Sequence, residues 1–175
     1  MPIIANTSLP SFERFRYEGG EVLTPDRAHS QDIRELHVGL MNNMPDAALE
    51  STERQFLRLV GGCNRVAQFF VYPFSPPNIP RGDKARVHIE QYYFDFDDLK
   101  EAGLDALIIS GANPVCDSLS DESFWTPLCQ VLDWAKVNSE SKHSLSVIDR
   151  AVNAIFTKIA PRRGIGGPLY LALYR

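Results

Sequence analysis

The sequence predicts an α/β fold, an open and mostly parallel sheet with helices on both faces, on three observations. Short apolar runs alternate with segments of helical period in the order strand, helix, strand, helix, strand, helix, strand. One run, Leu104 to Ser110 (LDALIIS), is uninterrupted, as suits a strand buried on both faces. Two runs open into loops, Asn42 to Asp46 and Ser110 to Cys116. In such sheets ligands sit at the carboxyl ends of the strands, so these loops are where a site belongs.

The elements follow in order. Residues 1–34 carry prolines, Gly19-Gly20 and scattered charge without a period, and read as an N-terminal arm. Glu35 to Asn42 (ELHVGLMN) is a strand ending at Asn42-Asn43-Met44-Pro45, where proline stops pairing. From Asp46, an N-cap candidate, Ala48, Leu49, Thr52, Phe56, Leu59 and Val60 fall at helical spacing up to Gly61-Gly62. Arg65 to Phe74 (RVAQFFVYPF), rich in β-branched and aromatic residues, is a second strand, followed by a loop through Pro76-Pro77 and Pro80. DFDDLKEAG has acids at its start and Gly103 at its end, a short helix that feeds the strand at 104–110. Gly111-Ala112-Asn113-Pro114 turns the chain into a helix over Ser120 to Asn138, whose start Ser120, Ser123 and Asp121-Glu122 suit, and His143 to Ile148 (HSLSVI) is a fourth strand.

The chain has 175 residues, enough for one domain with a core, and its 44% hydrophobic and 23% charged residues are those of a chain that folds. A net charge of −4 gives no positive field for nucleic acid or an anionic membrane. No run is apolar for the ~18 residues a membrane span needs, and MPIIANTSLPSF lacks the pattern of a leader, which makes the cytoplasm the default. Residues 150–175 differ from the rest. They hold five Lys or Arg and no Asp or Glu, and include the breaker-rich run Arg162 to Pro168. The organisation read from this is an arm (1–34), an α/β domain (35–149) and an atypical basic tail (150–175).

Few residues carry an obvious chemistry. Cys63, Cys116 and Cys129 are an odd number at wide spacing, which fits reduced thiols rather than a disulfide framework or a zinc site. His29, His37, His88 and His143 are far apart, so no metal is expected. RGIGGP lacks the Walker pattern and the strand-to-helix frame of a phosphate loop. The strand at 143–148 offers Ser144 and Ser146 to a nucleophile turn. The Ser110-Gly111-Ala112 turn could supply oxyanion donors, since glycine lets backbone approach a ligand closely, or could simply join strand to helix.

Four collinear segments, RAHSQDIRELHVGLMNNMP (27–45), TERQFLRLV (52–60), YYFDFDDLKEAGLDALIISGA (92–112) and FWTPLCQVLDWAK (124–136), resemble the amino-terminal half of the homoserine O-succinyltransferase and O-acetyltransferase family over residues 24–145. The resemblance implies a flavodoxin-like sheet of the class I glutamine amidotransferase type, apparently incomplete in this chain. It implies transfer of an acyl group from acyl-CoA, by way of a cysteine thioester, to homoserine in methionine biosynthesis. No cofactor is implied beyond acyl-CoA as co-substrate.

Counted without gaps from Trp134, the family's nucleophilic cysteine falls on Ser146. The position associated with donor choice falls on Val115, where the family has glycine or glutamate, leaving succinyl-CoA and acetyl-CoA both open. Ser110, Gly111 and Ala112 match the oxyanion or acyl-donor loop. Asp46 replaces the family's lysine after Met-Pro, and the stretch before TERQF is two residues longer. The family's histidine and glutamate would fall beyond Arg175.

The expectation is thus a truncated and inactive homoserine O-acyltransferase homologue whose residues 150–175 are an out-of-frame tail. The alternatives are a non-catalytic remnant that pairs through uncovered strand edges, a homodimer included, and an amidotransferase-type hydrolase.

Overall fold

The computed structural model describes residues 2–62, 67–140 and 171–174. Its elements are β1 (Ile3–Ile4), α1 (Pro10–Tyr17), β2 (Val22–Leu23), α2 (Pro25–His29), β3 (Arg34–Met41), α3 (Leu49–Gly62), β4 (Ala67–Phe74), α4 (Asp83–Tyr92), α5 (Phe96–Ala102), β5 (Ala106–Ile109), α6 (Trp125–Glu140) and β6 (Leu171–Tyr174). Single 3-10 turns lie at Asp46–Ala48 and Leu119–Asp121. The strands form one sheet in the order β2-β1-β4-β3-β5-β6. β1 to β5 run parallel and β6 pairs antiparallel with β5, so the sheet is open and mostly parallel, as expected.

Alternation along the two longest strands builds two core layers. Leu36, Val38 and Leu40 of β3, with Ala67, Phe69 and Val71 of β4, face α1 and α3 and join Phe12, Phe15, Phe56, Leu57 and Val60. Met41, Phe74, Leu107 and Ile109 face the other way, onto Leu99 of α5 and Leu128, Val131 and Leu132 of α6. Each such Val, Leu, Ile, Met or Phe side chain contributes about 1.5–3 kcal/mol on burial. α3 follows the expected period at Leu49, Thr52, Phe56 and Val60, while Leu59, expected on the same stripe, is exposed. Leu49, Thr52, Glu53, Phe56, Leu57 and Val60 are its buried residues, spaced three and four apart on one face.

Connectivity then positions the site. From β3 the chain crosses through α3 to β4 on one side; from β4 it returns through α4 and α5 to β5 on the other side of β3. The loops leaving β3 and β5 therefore diverge, and their carboxyl ends form the topological switch point where open α/β sheets bind ligands.

Several elements differ from expectation. Residues 1–34 hold β1, α1, β2 and α2, with both strands in the sheet. Pro10 and Pro25, read as breakers, are instead at the first positions of α1 and α2, where a missing N–H costs nothing. Helix α4 was not apparent because only Ala85 of its ten residues is buried, so no apolar period marks it. Asp46 does not cap α3. It opens a 3-10 turn, and its carboxylate accepts the Gly82 N–H at 2.8 Å ahead of α4. The expected strand at 143–148 and most of the basic tail lie outside the described residues, β6 being the described part of that tail.

Candidate active site at the carboxyl ends of β3 and β5

The two loops singled out in the sequence meet. Ser110, buried at the end of β5, donates its N–H to Met41 O at 2.9 Å. Its hydroxyl accepts the Asn43 N–H at 2.8 Å and donates to Gly111 O at 3.0 Å, while Asn43 Nδ2 donates to Ser110 O at 3.3 Å. Asn43 thus clamps the turn after β5 with both its backbone and its side chain. Gly111 is buried and Ala112 half-buried. Among the described residues no hydrogen bond engages the N–H of Gly111 or of Ala112. Two backbone donors without a partner among the described residues thus sit beside the ends of β3 and β5.

The β3 loop is held from behind. The Asn42 N–H donates to Phe74 O at 2.8 Å, and Asn42 Oδ1 accepts the Met44 N–H at 3.3 Å. Arg81, whose side chain is 7% exposed, spreads its guanidinium over this loop. It donates to Met44 O, to Asn42 O at 3.2 Å and to Ser75 Oγ at 3.0 Å, and pairs with Asp46 at 3.3 Å. A buried guanidinium is tolerated when its donors find acceptors, and here two loop carbonyls, a hydroxyl and a carboxylate serve its terminal nitrogens.

The β5 loop is held by Glu122. This buried carboxylate accepts the N–H groups of Val115 and Cys116, so the segment from Gly111 to Glu122 closes on itself. Val115 rides on that loop with its side chain 88% exposed. Desolvation, and then the negative charge of Glu122 with help from Asp121 and Asp117, pushes the Cys116 thiol above its ordinary value. Cys116 is therefore a protonated thiol near neutral pH and a poor nucleophile.

Ser110, Gly111, Ala112 and Val115 accordingly share one loop, and the structure adds Asn42, Asn43, Arg81 and Glu122 to them. Ser146, which the resemblance puts at the nucleophile position, lies outside the described residues, as does Ser144. A second polar cluster was not foreseen. Glu53 is fully buried on α3, and its carboxylate accepts hydrogen bonds from Ser11 Oγ, from His88 Nε2 at 2.8 Å and from Tyr93 Oη at 2.8 Å. The available signal was an acid at a stripe position of α3, between Leu49 and Phe56 on its apolar face. Among the described residues no group of three His, Cys, Asp or Glu could hold a metal ion, and no helix is long and apolar enough to cross a membrane.

Comparison with known proteins gives the family of the chain. The family model described as homoserine O-succinyltransferase matches residues 2–160, starting one residue before β1 and running past residue 149, where the composition changes. A homoserine O-succinyltransferase of Thiothrix nivea is 59% identical over 141 residues, covering 81% of this chain and 39% of that protein. Those of Thiobacillus denitrificans and Methylococcus capsulatus are 58% and 56% identical over the same length, with 40% of each covered. The chain thus spans about two fifths of the length of these curated relatives. By a family match over most of its length, this chain belongs to the homoserine O-succinyltransferase family.

Proposed function

We propose that this chain supplies the acyl-donor side of a succinyl-transfer site, with succinyl-CoA as donor and L-homoserine as acceptor in methionine biosynthesis, in the cytoplasm. The observation that carries it is the pair of N–H groups of Gly111 and Ala112, without a hydrogen-bond partner among the described residues, at the switch point beside the Asn43–Ser110 clamp. When a nucleophile attacks a thioester carbonyl, negative charge gathers on the carbonyl oxygen. Fixed backbone donors aimed at that oxygen lower the barrier, and removal of one such donor slows comparable enzymes about 10²–10³-fold. The names of the relatives favour succinyl over acetyl as the acyl group. The Glu122-pinned loop carries Val115, which the resemblance associates with donor choice, four residues along the chain from Gly111.

The 175-residue chain itself turns over slowly under this reading. Ser146 stands where the family has a cysteine, and a hydroxyl of ordinary acidity attacks a thioester far more slowly than a thiolate does. The test is to titrate the purified chain with succinyl-CoA and acetyl-CoA while following its backbone amide resonances, then to add homoserine and follow CoA release. Succinyl-CoA should shift Gly111, Ala112 and Val115 more than acetyl-CoA does, with little CoA released. An absence of shifts from both donors overturns the donor-site assignment, a larger response to acetyl-CoA overturns the choice of donor, and rapid turnover overturns the expectation of low activity.

A further inference from the structure

We infer that Glu53 is a positioning residue for the transfer site, fixing the Asn42–Met44 loop through a one-way chain of hydrogen bonds that runs by way of Tyr93 and Asn42. This rests on the reading above of that loop as part of the site. Glu53 lies on α3, in the layer of the core that covers one sheet face, and no water reaches it. A carboxylate there is tolerable because three donors converge on it: Ser11 from α1, His88 from α4 and Tyr93 just after α4.

Direction follows from proton count. A carboxylate accepts only, so it takes the single Tyr93 hydroxyl proton. Burial, and then the neighbouring Glu53 charge, raises Tyr93 far above the usual phenol range, so the proton stays in place. The Tyr93 oxygen can then only accept, and it accepts Asn42 Nδ2 at 2.9 Å. That contact, with a second from Nδ2 to Leu49 O at 3.1 Å, sets which end of the Asn42 amide faces which way. Its Oδ1 is left to receive the Met44 N–H, and the next residue, Asn43, donates to Ser110. Reversing any link would present two donors or two acceptors to each other. A charge in the core thereby dictates the orientation of an amide at the end of β3.

The test measures amide hydrogen exchange by NMR in the full 175-residue chain, for the unchanged protein and for Tyr93→Phe, Glu53→Gln and Ser11→Ala. Tyr93→Phe removes one oxygen, and exchange of the Asn43 and Met44 amides should accelerate at least tenfold while Val38 and Leu40, inside β3, stay within about twofold. Glu53→Gln should give the same local signature, because a glutamine amide can offer Tyr93 either a donor or an acceptor and the direction is lost; either variant suffices if the other does not fold. Ser11→Ala removes a donor from the same carboxylate without touching the chain to Asn42, and should leave Asn43 and Met44 within twofold. Unchanged exchange at those amides in Tyr93→Phe, a uniform rise through β3, or an equal effect of Ser11→Ala overturns the inference. No substrate enters this measurement, so it can fail while succinyl-CoA still binds, and the converse.

Discussion

At Cys116 the surroundings decide the chemistry. Its Sγ lies 3.7 Å from Asp121 O, its N–H is bound by Glu122, and the charges of Glu122, Asp121 and Asp117 all disfavour a thiolate. A thiol held above its ordinary value has less thiolate at any given pH near neutrality, so its alkylation is slow. Iodoacetamide at pH 8 should modify Cys116 more slowly than a free thiol of the usual acidity, and Glu122→Gln should speed it several-fold by removing the largest single charge. Equal rates in the two proteins, resolved by peptide mass, would show that the carboxylate does not govern the thiol. The same residue, Glu122, illustrates what the sequence hides. It reads there as an acid suited to a helix start, whereas it is buried with its carboxylate on two backbone amides.

Among the elements, α5 shows how a short helix is stopped. Asp95 caps it, accepting the Asp97 N–H at 2.7 Å, and Gly103 ends it with φ +82° and ψ 148°. That backbone geometry is costly for any residue with a Cβ, although no atom stands within 4 Å of where one would be placed. Gly103→Ala should therefore destabilise through backbone strain alone, by about 1–3 kcal/mol, seen as a lower urea midpoint with an unchanged slope. A neutral result would mean the chain relaxes there freely. Both ends of α5 were legible in the sequence because acids before an apolar residue and a glycine after it are local signals. α3 was legible for the same kind of reason, by its buried stripe. α4 and the role of Asp46 were not: one helix buries a single alanine, and the other feature is a contact across 36 residues of sequence. Local patterns announce local structure, and long-range capping leaves no such trace.

For the molecule as a whole, the mostly parallel sheet and the loops at its carboxyl ends followed from alternating periods, while the strand order and the buried polar network that ties distant segments together did not. Glu53 and Tyr93 join α1, α3, α4 and the end of β3 in one set of hydrogen bonds, and this gives the folded state a dependence on alkaline pH with a definite sign. Tyr93 starts from an ordinary value of 10.0 and is raised in the folded protein, by burial first and by Glu53 second. In the unfolded chain it loses its proton near pH 10; in the folded chain it keeps it. The unfolded state then binds fewer protons, so the stabilisation is whole below pH 10 and is lost as pH climbs above it, at about 1.4 kcal/mol per pH unit for one proton. Tyr72, raised by burial and by Glu35, adds a smaller share of the same sign. Urea unfolding between pH 8 and pH 11 should show stability falling above pH 10 in the unchanged protein and falling less steeply in Tyr93→Phe, whose Tyr72 remains. Parallel curves for the two would mean that Tyr93 ionises as readily in the folded chain as in the unfolded one, and that water reaches the network which the geometry closes off.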